Sequence, residues 1–144
     1  MLKADKSEFV MCASTGSMND ENVATEEMKA AGLVDGHAFA LISVKEINLD
    51  AGGTVKLIKI RNPWGKKEWN GDWSDGSATW TAGTKAQVDF KEKNDGLFWI
   101  SLYDYYKFFF VTSICYQCKK MNEISKSVVD THGPEWFGLS KVVI

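Results

Sequence analysis

Apolar residues along the chain fall into short runs of strand length, separated by turns rich in Gly, Asp, Asn and Ser. The first run, Glu8 to Ala13, follows a charged start and gives way to Ser14, Thr15, Gly16, Ser17 and Asn19, which predicts a strand followed by a loop. Residues 20–31 carry helix formers, and Thr25 to Ala31 suits one or two helical turns. From His37 to Ile47 the chain is dominated by Ala, Phe, Leu, Ile and Val. Asp50-Ala51-Gly52-Gly53 interrupts it, and Val55 to Arg61 resumes, with Lys56 and Lys59 disturbing the alternation only slightly. Two antiparallel strands, 38–48 and 54–61, joined by a turn near Gly52, are the economical reading.

Residues 62–83 are dense in Trp, Gly, Ser, Asp and Thr and have no period. Long irregular segments in compact domains are usually functional. Leu97 to Ile100 reads as a strand after the Asn94-Asp95-Gly96 turn. Ser101 then caps a short helix over 102–108, with Asp104 at its favourable acidic end, before a β-like run from Phe109 to Tyr116. From Lys119 the chain is more polar, then ends in Trp136, Phe137, Leu139, Val142, Val143 and Ile144. This predicts a domain over 1–118 and, over 119–144, a linker leading into the first strand of a truncated domain. The fold class expected is α+β, mainly antiparallel, with one or two short helices.

Composition narrows the function classes. A chain of 144 residues, 44% hydrophobic and 25% charged, suits one globular domain, and six Trp, eight Phe and four Tyr exceed what its core needs. Some of these rings are expected to line a site or an interface. A net charge of −2 without a uniformly basic stretch argues against a nucleic-acid partner. No apolar run approaches the roughly 20 residues that span a bilayer. Lys3, Asp5, Lys6 and Glu8 occupy the place of a signal peptide's apolar core, so an intracellular, cytoplasmic location is expected. Three cysteines without framework spacing suit a reducing compartment.

The chemistry-bearing pieces are Gly36-His37-Ala38-Phe39, opening one hairpin strand, and Arg61-Asn62-Pro63-Trp64-Gly65, closing the other. Antiparallel pairing sets the start of the first strand beside the end of the second, so His37 and Asn62 can be neighbours. A cysteine protease uses such a pair, the imidazole exchanging the thiol proton and a third group fixing the ring. Pro63 pushes Asn62 towards extended backbone, and Trp64 can lie over the His–Asn hydrogen bond and exclude water. A lone His at a strand start is ordinarily structural and Asn-Pro alone is a turn signal, so each residue by itself leaves both readings open.

Four phrases together resemble the second protease subdomain of the calpains, whose papain-like core is split in two. They are Gly-Leu-Val-Asp-Gly-His-Ala-Phe (32–39), Lys-Ile-Arg-Asn-Pro-Trp-Gly-Lys-Lys-Glu-Trp-Asn-Gly-Asp-Trp-Ser-Asp (59–75), Asp-Gly-Leu-Phe-Trp-Ile-Ser (95–101), and the Phe-rich run into Ile114-Cys115. The resemblance covers about residues 7–118. It implies the β-rich half of a papain-like core, with His37 as catalytic histidine, Asn62 as catalytic asparagine and Trp64 as the shielding tryptophan. It also implies that the nucleophilic cysteine, with the oxyanion glutamine, lies in a first subdomain preceding residue 1. Cys12 resembles a structural cysteine.

The same resemblance implies a calcium site, with Glu68, Asp75 and Asp95 at acidic ligand positions and Lys93 offering its backbone carbonyl. Leu97 departs from the pattern, standing where calcium-regulated relatives have another acidic ligand, which weakens or abolishes the site. The alternative reading makes the three acids solvated loop residues. Cys115-Tyr116-Gln117-Cys118 has CxxC spacing, yet His132 is a lone further zinc candidate, so strand-end thiols are expected there. Trp69, Trp73 and Trp80 suggest a sugar-stacking surface, but the resemblance implies more simply that they pack their loop and border the cleft.

The expected function is part of an intracellular cysteine endopeptidase acting on proteins or peptides. Its partner would be a cysteine-bearing first subdomain, and the chain alone would be inactive. A calpain-fold scaffold binding partners or calcium without cleaving is the alternative. A third reading makes Cys12 or Cys115 a nucleophile of this domain alone.

Overall fold

The computed structural model describes residues 1–6, 9–16 and 23–115. The predicted linker over 119–144, Cys118 and His132 lie outside them. The described elements are α1 (Leu2–Lys6), β1 (Val10–Thr15), α2 (Val23–Ala30), β2 (Ala38–Asn48), β3 (Thr54–Arg61), α3 (Ala82–Lys85), β4 (Leu97–Ser101), α4 (Leu102–Phe108) and β5 (Phe109–Cys115). The strands form one sheet in the order β4-β3-β2-β1-β5, antiparallel at β1–β2, β2–β3 and β3–β4. The α+β, mainly antiparallel expectation therefore holds.

The β2–β3 hairpin has the strand limits the sequence predicts, but its register slips between Leu41 and Ser43, where Ile42 is the extra residue of a bulge. The slip has a purpose visible in the burial pattern. Phe39, Leu41 and Val44 all join one core with Met11, Ala13, Ile58, Ile60, Phe98 and Ile100, and without the inserted residue Val44 would face the other way. Ile42 itself is half exposed. The opposite face of the far end of the sheet carries a second cluster of Ile47, Leu57, Trp73, Trp80 and Trp99. Leu57-Ile58 and Phe98-Trp99-Ile100 are thus apolar without alternation because both faces there are covered. Lys59 stands on the tryptophan-covered face and extends past the Trp99 ring, 5.6 Å from its centroid, to bond the Asp89 carboxylate at 3.3 Å.

Several local differences from the sequence reading have simple causes. β1 continues through Ser14 and Thr15, read as loop, because Ser14 pairs with Ala38 and Thr15 N–H donates to His37 O at 3.0 Å. The charged start folds as α1, which buries only Ala4 and shows little apolar periodicity. α3 is a four-residue helix at the end of the irregular segment, made by a Thr81–Thr84 capping box rather than an apolar stripe. Ser101 caps α4 as expected, accepting from Asp104 N–H at 3.0 Å. The irregular segment packs on its own tryptophans. Trp69 and Trp80 are buried with their indole N–H groups on Asp72 O and Ser74 O, and Trp73 and Trp80 meet edge to face.

Gly96 is the tightest backbone passage next to the β3 end. It has φ of 86°, and a Cβ there would stand 2.7 Å from Asn62 O and 2.9 Å from Gly65 Cα, both backbone atoms. Gly96→Ala is expected to lower stability by about 1–3 kcal/mol, since an L side chain in this conformation is strained before the clash is counted. Urea unfolding checks this through the midpoint at unchanged m. A variant as stable as the wild type would show that the backbone here gives freely.

Candidate active site

His37 lies one residue before β2 and Asn62 one residue after β3, so the hairpin brings their side chains together across its open end. The separation is 3.0 Å between His37 Nε2 and Asn62 Oδ1. Asn62 is completely buried. Its Nδ2 donates to Lys66 O at 2.8 Å and Lys67 O at 3.0 Å, and its Oδ1 also accepts from Trp64 N–H at 3.1 Å. An amide offers two donors and an oxygen with two lone pairs, and all four are used. Turning it over would set NH₂ against the Trp64 N–H and the oxygen against two carbonyls, so one orientation is compatible with the surroundings.

That orientation decides the tautomer of His37. With a carbonyl oxygen facing it, Nε2 must carry the proton and donate it. In the neutral ring this leaves Nδ1 with its lone pair free to take a proton from another group. The ring is further held by neighbours. Trp64 stands against it with centroids 4.3 Å apart at 40°, and Phe39 meets it edge to face at 4.8 Å. Trp64 is 53% exposed, so it covers the imidazole from the solvent side rather than being buried itself.

The Asn62 backbone is as constrained as its side chain. Its N–H donates to Gly96 O at 2.8 Å and its carbonyl accepts from Gly65 N–H at 3.0 Å, closing the tight turn that Pro63 and Trp64 form. Cys12, by contrast, is three residues up β1 from Thr15, which lies opposite His37. This is about 10 Å at strand rise, beyond the reach of its thiol.

The acidic residues occupy a neighbouring region and make separate backbone contacts. Glu68 Oε1 accepts from Gly96 N–H at 2.7 Å, and Asp75 Oδ2 from Lys93 N–H at 2.9 Å. Asp95 Oδ1 accepts from Leu97 N–H at 3.1 Å, and its Oδ2 lies 3.8 Å from Lys93 Nζ. The Lys93 carbonyl already accepts from Asp95 N–H at 2.9 Å. Burial, together with the charges of Asp75 and Asp95, pushes the Glu68 carboxyl up against the pull of the Gly96 hydrogen bond. Burial and the charges of Asp95 and Glu92 push Asp75 up in the same way, opposed by the Lys93 N–H. An all-oxygen donor set suits a hard cation. Among the described residues, however, no three His, Cys, Asp or Glu side chains stand close enough to hold a metal ion. To share one, Asp95 would have to leave Lys93 and the carboxylates swing together.

Sequence reasoning brought His37, Asn62 and Trp64 to one place, and the structure has them there. It missed Thr15, whose hydroxyl bonds the backbone of the His37 turn, and Gly96, read only as a turn glycine. A threonine beside a glycine carries no signal of such a contact. Cys115 is exposed at the end of β5. Among the described residues no helix is long and apolar enough to cross a membrane.

Residues 1–116 match the family described as calpain family cysteine protease. Calpain clp-4 of Caenorhabditis elegans is 39% identical over 100 residues, 67% of this chain and 14% of that protein. Human calpain-14 is 38% identical over 92 residues, 62% of this chain and 13% of that protein. Rat calpain-8 is 38% identical over 113 residues, 76% of this chain and 15% of that protein. The chain thus spans about a seventh of the length of these relatives, and it belongs to the calpain family of cysteine proteases.

Proposed function

We propose that this chain supplies the base and its orienting group to an intracellular, cytoplasmic cysteine endopeptidase whose nucleophile comes from a preceding subdomain of the same parent. The observation that carries the reading is the 3.0 Å contact between His37 Nε2 and an Asn62 amide whose orientation three further hydrogen bonds fix. His37 Nδ1 takes the proton of the partner's thiol, the thiolate attacks the peptide carbonyl, and the imidazolium returns the proton to the departing amine. Water then cleaves the acyl-enzyme with His37 again as base. Asn62 holds the ring without adding a charge that would compete with the thiolate, and Trp64 keeps water from the imidazole face. The substrate, a protein or peptide, lies between this domain and the cysteine-bearing one. The parent is read as one chain, residues 1–118 being its second protease subdomain and 119–144 a linker towards a further domain.

Calcium is the second part of the reading. Glu68, Asp75 and Asp95, with the Lys93 carbonyl, are the proposed ligands; burial first, and then repulsion from neighbouring carboxylates, raises Glu68 and Asp75, and a cation would relieve that repulsion. Leu97 adds no ligand oxygen, so binding is weak.

Three outcomes test this. The chain alone is expected to cleave no fluorogenic peptide, and a fusion to a cysteine-bearing calpain first subdomain to cleave it. His37→Ala in the fusion lowers kcat by at least about 10²-fold. Full activity of that variant sinks the role of His37, and a folded but inert fusion favours the scaffold reading. Titration calorimetry with millimolar Ca²⁺ gives heat and a raised melting temperature, with a dissociation constant of about 1 mM. Neither heat nor shift removes calcium from the proposal.

The third outcome concerns pH. A carboxyl raised in the fold favours the folded state fully below its unfolded pKa. That contribution is lost as pH rises through the folded value. The variant Glu68→Gln/Asp75→Asn should therefore lose less stability than the wild type as pH rises above about 4 in urea melts. Parallel curves would show that the two carboxyls are not under strain.

A further inference from the structure

We propose that Thr15 is a positioning residue for His37, its side-chain hydroxyl bridging the two ends of the turn that delivers the imidazole to Asn62. The turn runs from Val34 to His37 through Asp35 and Gly36, with Gly36 at φ of 59°. His37 N–H, the group that ordinarily closes such a turn onto its first carbonyl, donates to Thr15 Oγ1 at 3.1 Å. The hydroxyl in turn donates to that first carbonyl, Val34 O, at 2.6 Å. One threonine oxygen thus bonds both the first carbonyl and the last N–H of the turn.

The same residue grips the other side of His37. Thr15 N–H donates to His37 O at 3.0 Å, and Oγ1 lies 3.2 Å from that carbonyl. Both polar backbone groups of His37 are therefore held by Thr15, which is itself buried at 6% exposure. With the backbone pinned at N and O, only the side-chain torsions remain for the ring. Phe39 and Trp64 restrict those. A hydrogen bond to Asn62 tolerates only a few tenths of an ångström, and a 1 Å displacement of a reacting group costs on the order of 10²-fold in rate. A buried hydroxyl with partners on each side is stiff enough to hold such a tolerance. A valine of the same shape leaves the Val34 carbonyl and the His37 N–H without their partner, and the turn must rearrange to satisfy them.

The functional weight of this inference rests on the reading of His37 as the base. Its test does not, because it reads the ring in the chain alone, whereas failure of the protease reading appears as an inert fusion. Nitrogen-15 NMR of the imidazole reports which nitrogen is protonated. In the wild type, His37 is expected as a single Nε2–H tautomer with a slowly exchanging proton. Thr15→Val should give a mixture of tautomers and a fast-exchanging proton, while Thr15→Ser restores the wild-type signal. Val44→Ala, which opens the core away from the turn, should lower the melting temperature and leave the His37 signal unchanged. A folded Thr15→Val chain with the wild-type tautomer overturns the proposal, as does a Val44→Ala chain that shifts it equally. Should the valine variant fail to fold, Thr15→Ser and Thr15→Ala carry the comparison. Serine keeping the signal and alanine losing it supports the assignment, and any other pairing of the two overturns it.

Discussion

The side-chain amide of Asn62 is the fixed point around which the candidate site is organised. It has no exposed surface and four hydrogen bonds, two given to the carbonyls of Lys66 and Lys67 and two received from His37 and the Trp64 N–H. Leaving one such group unpaired in the interior costs about 1–3 kcal/mol, so the chain from Pro63 to Lys67 is committed to serving it. Lys67 adopts φ of 62° in this stretch, a conformation uncommon for a residue with a side chain. The chemistry follows from the satisfied amide, because an oxygen that cannot rotate away dictates the protonated nitrogen of the imidazole.

Holding that amide requires a rigid frame, which the two-sided burial of the sheet provides. Ile58 and Ile60 pack on one face of β3 and Leu57 on the other, and β3 is bonded to β2 and β4 along its edges. The Asn62 end of this strand therefore has little freedom. The Ile42 bulge keeps Phe39, Leu41 and Val44 on one face although the spacing from 41 to 44 is odd. The tryptophans of the irregular segment complete the frame. Trp69 joins the main core and Trp73 and Trp80 the second cluster, so a stretch without regular structure is anchored to both faces of the sheet.

The hairpin and the His37–Asn62 pairing were legible because they depend on strand periodicity and on the symmetry of antiparallel pairing, both written in local residue types. Ser101 was legible for the same reason, a cap being a single residue before a helix. The bulge at Ile42 was not, because Leu41-Ile42-Ser43-Val44 reads equally well with or without a slip and only the packed partners decide. α1 and α3 escaped because neither has a periodic apolar face. Thr15 was read as loop because its strand character comes from pairing at the His37 carbonyl, 22 positions away. The carboxylates were grouped only through the calpain resemblance, and their partners were not legible, since each bonds a backbone N–H whose position only the fold sets.

Gly96 joins the acidic region to the His37–Asn62 pair. Its N–H donates to Glu68 Oε1 and its carbonyl accepts from Asn62 N–H, so one residue without a side chain touches both. No larger residue fits, because a Cβ would meet the Asn62 and Gly65 backbone. The Glu68 carboxylate is raised by its burial and by Asp75 and Asp95, and the Gly96 hydrogen bond is the largest influence opposing that rise. The same bond thus does two things, holding the Gly96 backbone that Asn62 leans on and opposing the rise of the Glu68 carboxyl. Substitutions at Glu68, Gly96 and Asn62 consequently share partners and should couple rather than add. Thr15 reaches the pair from the opposite side, through the His37 backbone, and has no atom in common with that chain of contacts. The imidazole and the amide are therefore set by two separate supports, one on β1 and one at the head of β4, and their 3.0 Å contact is where the two meet.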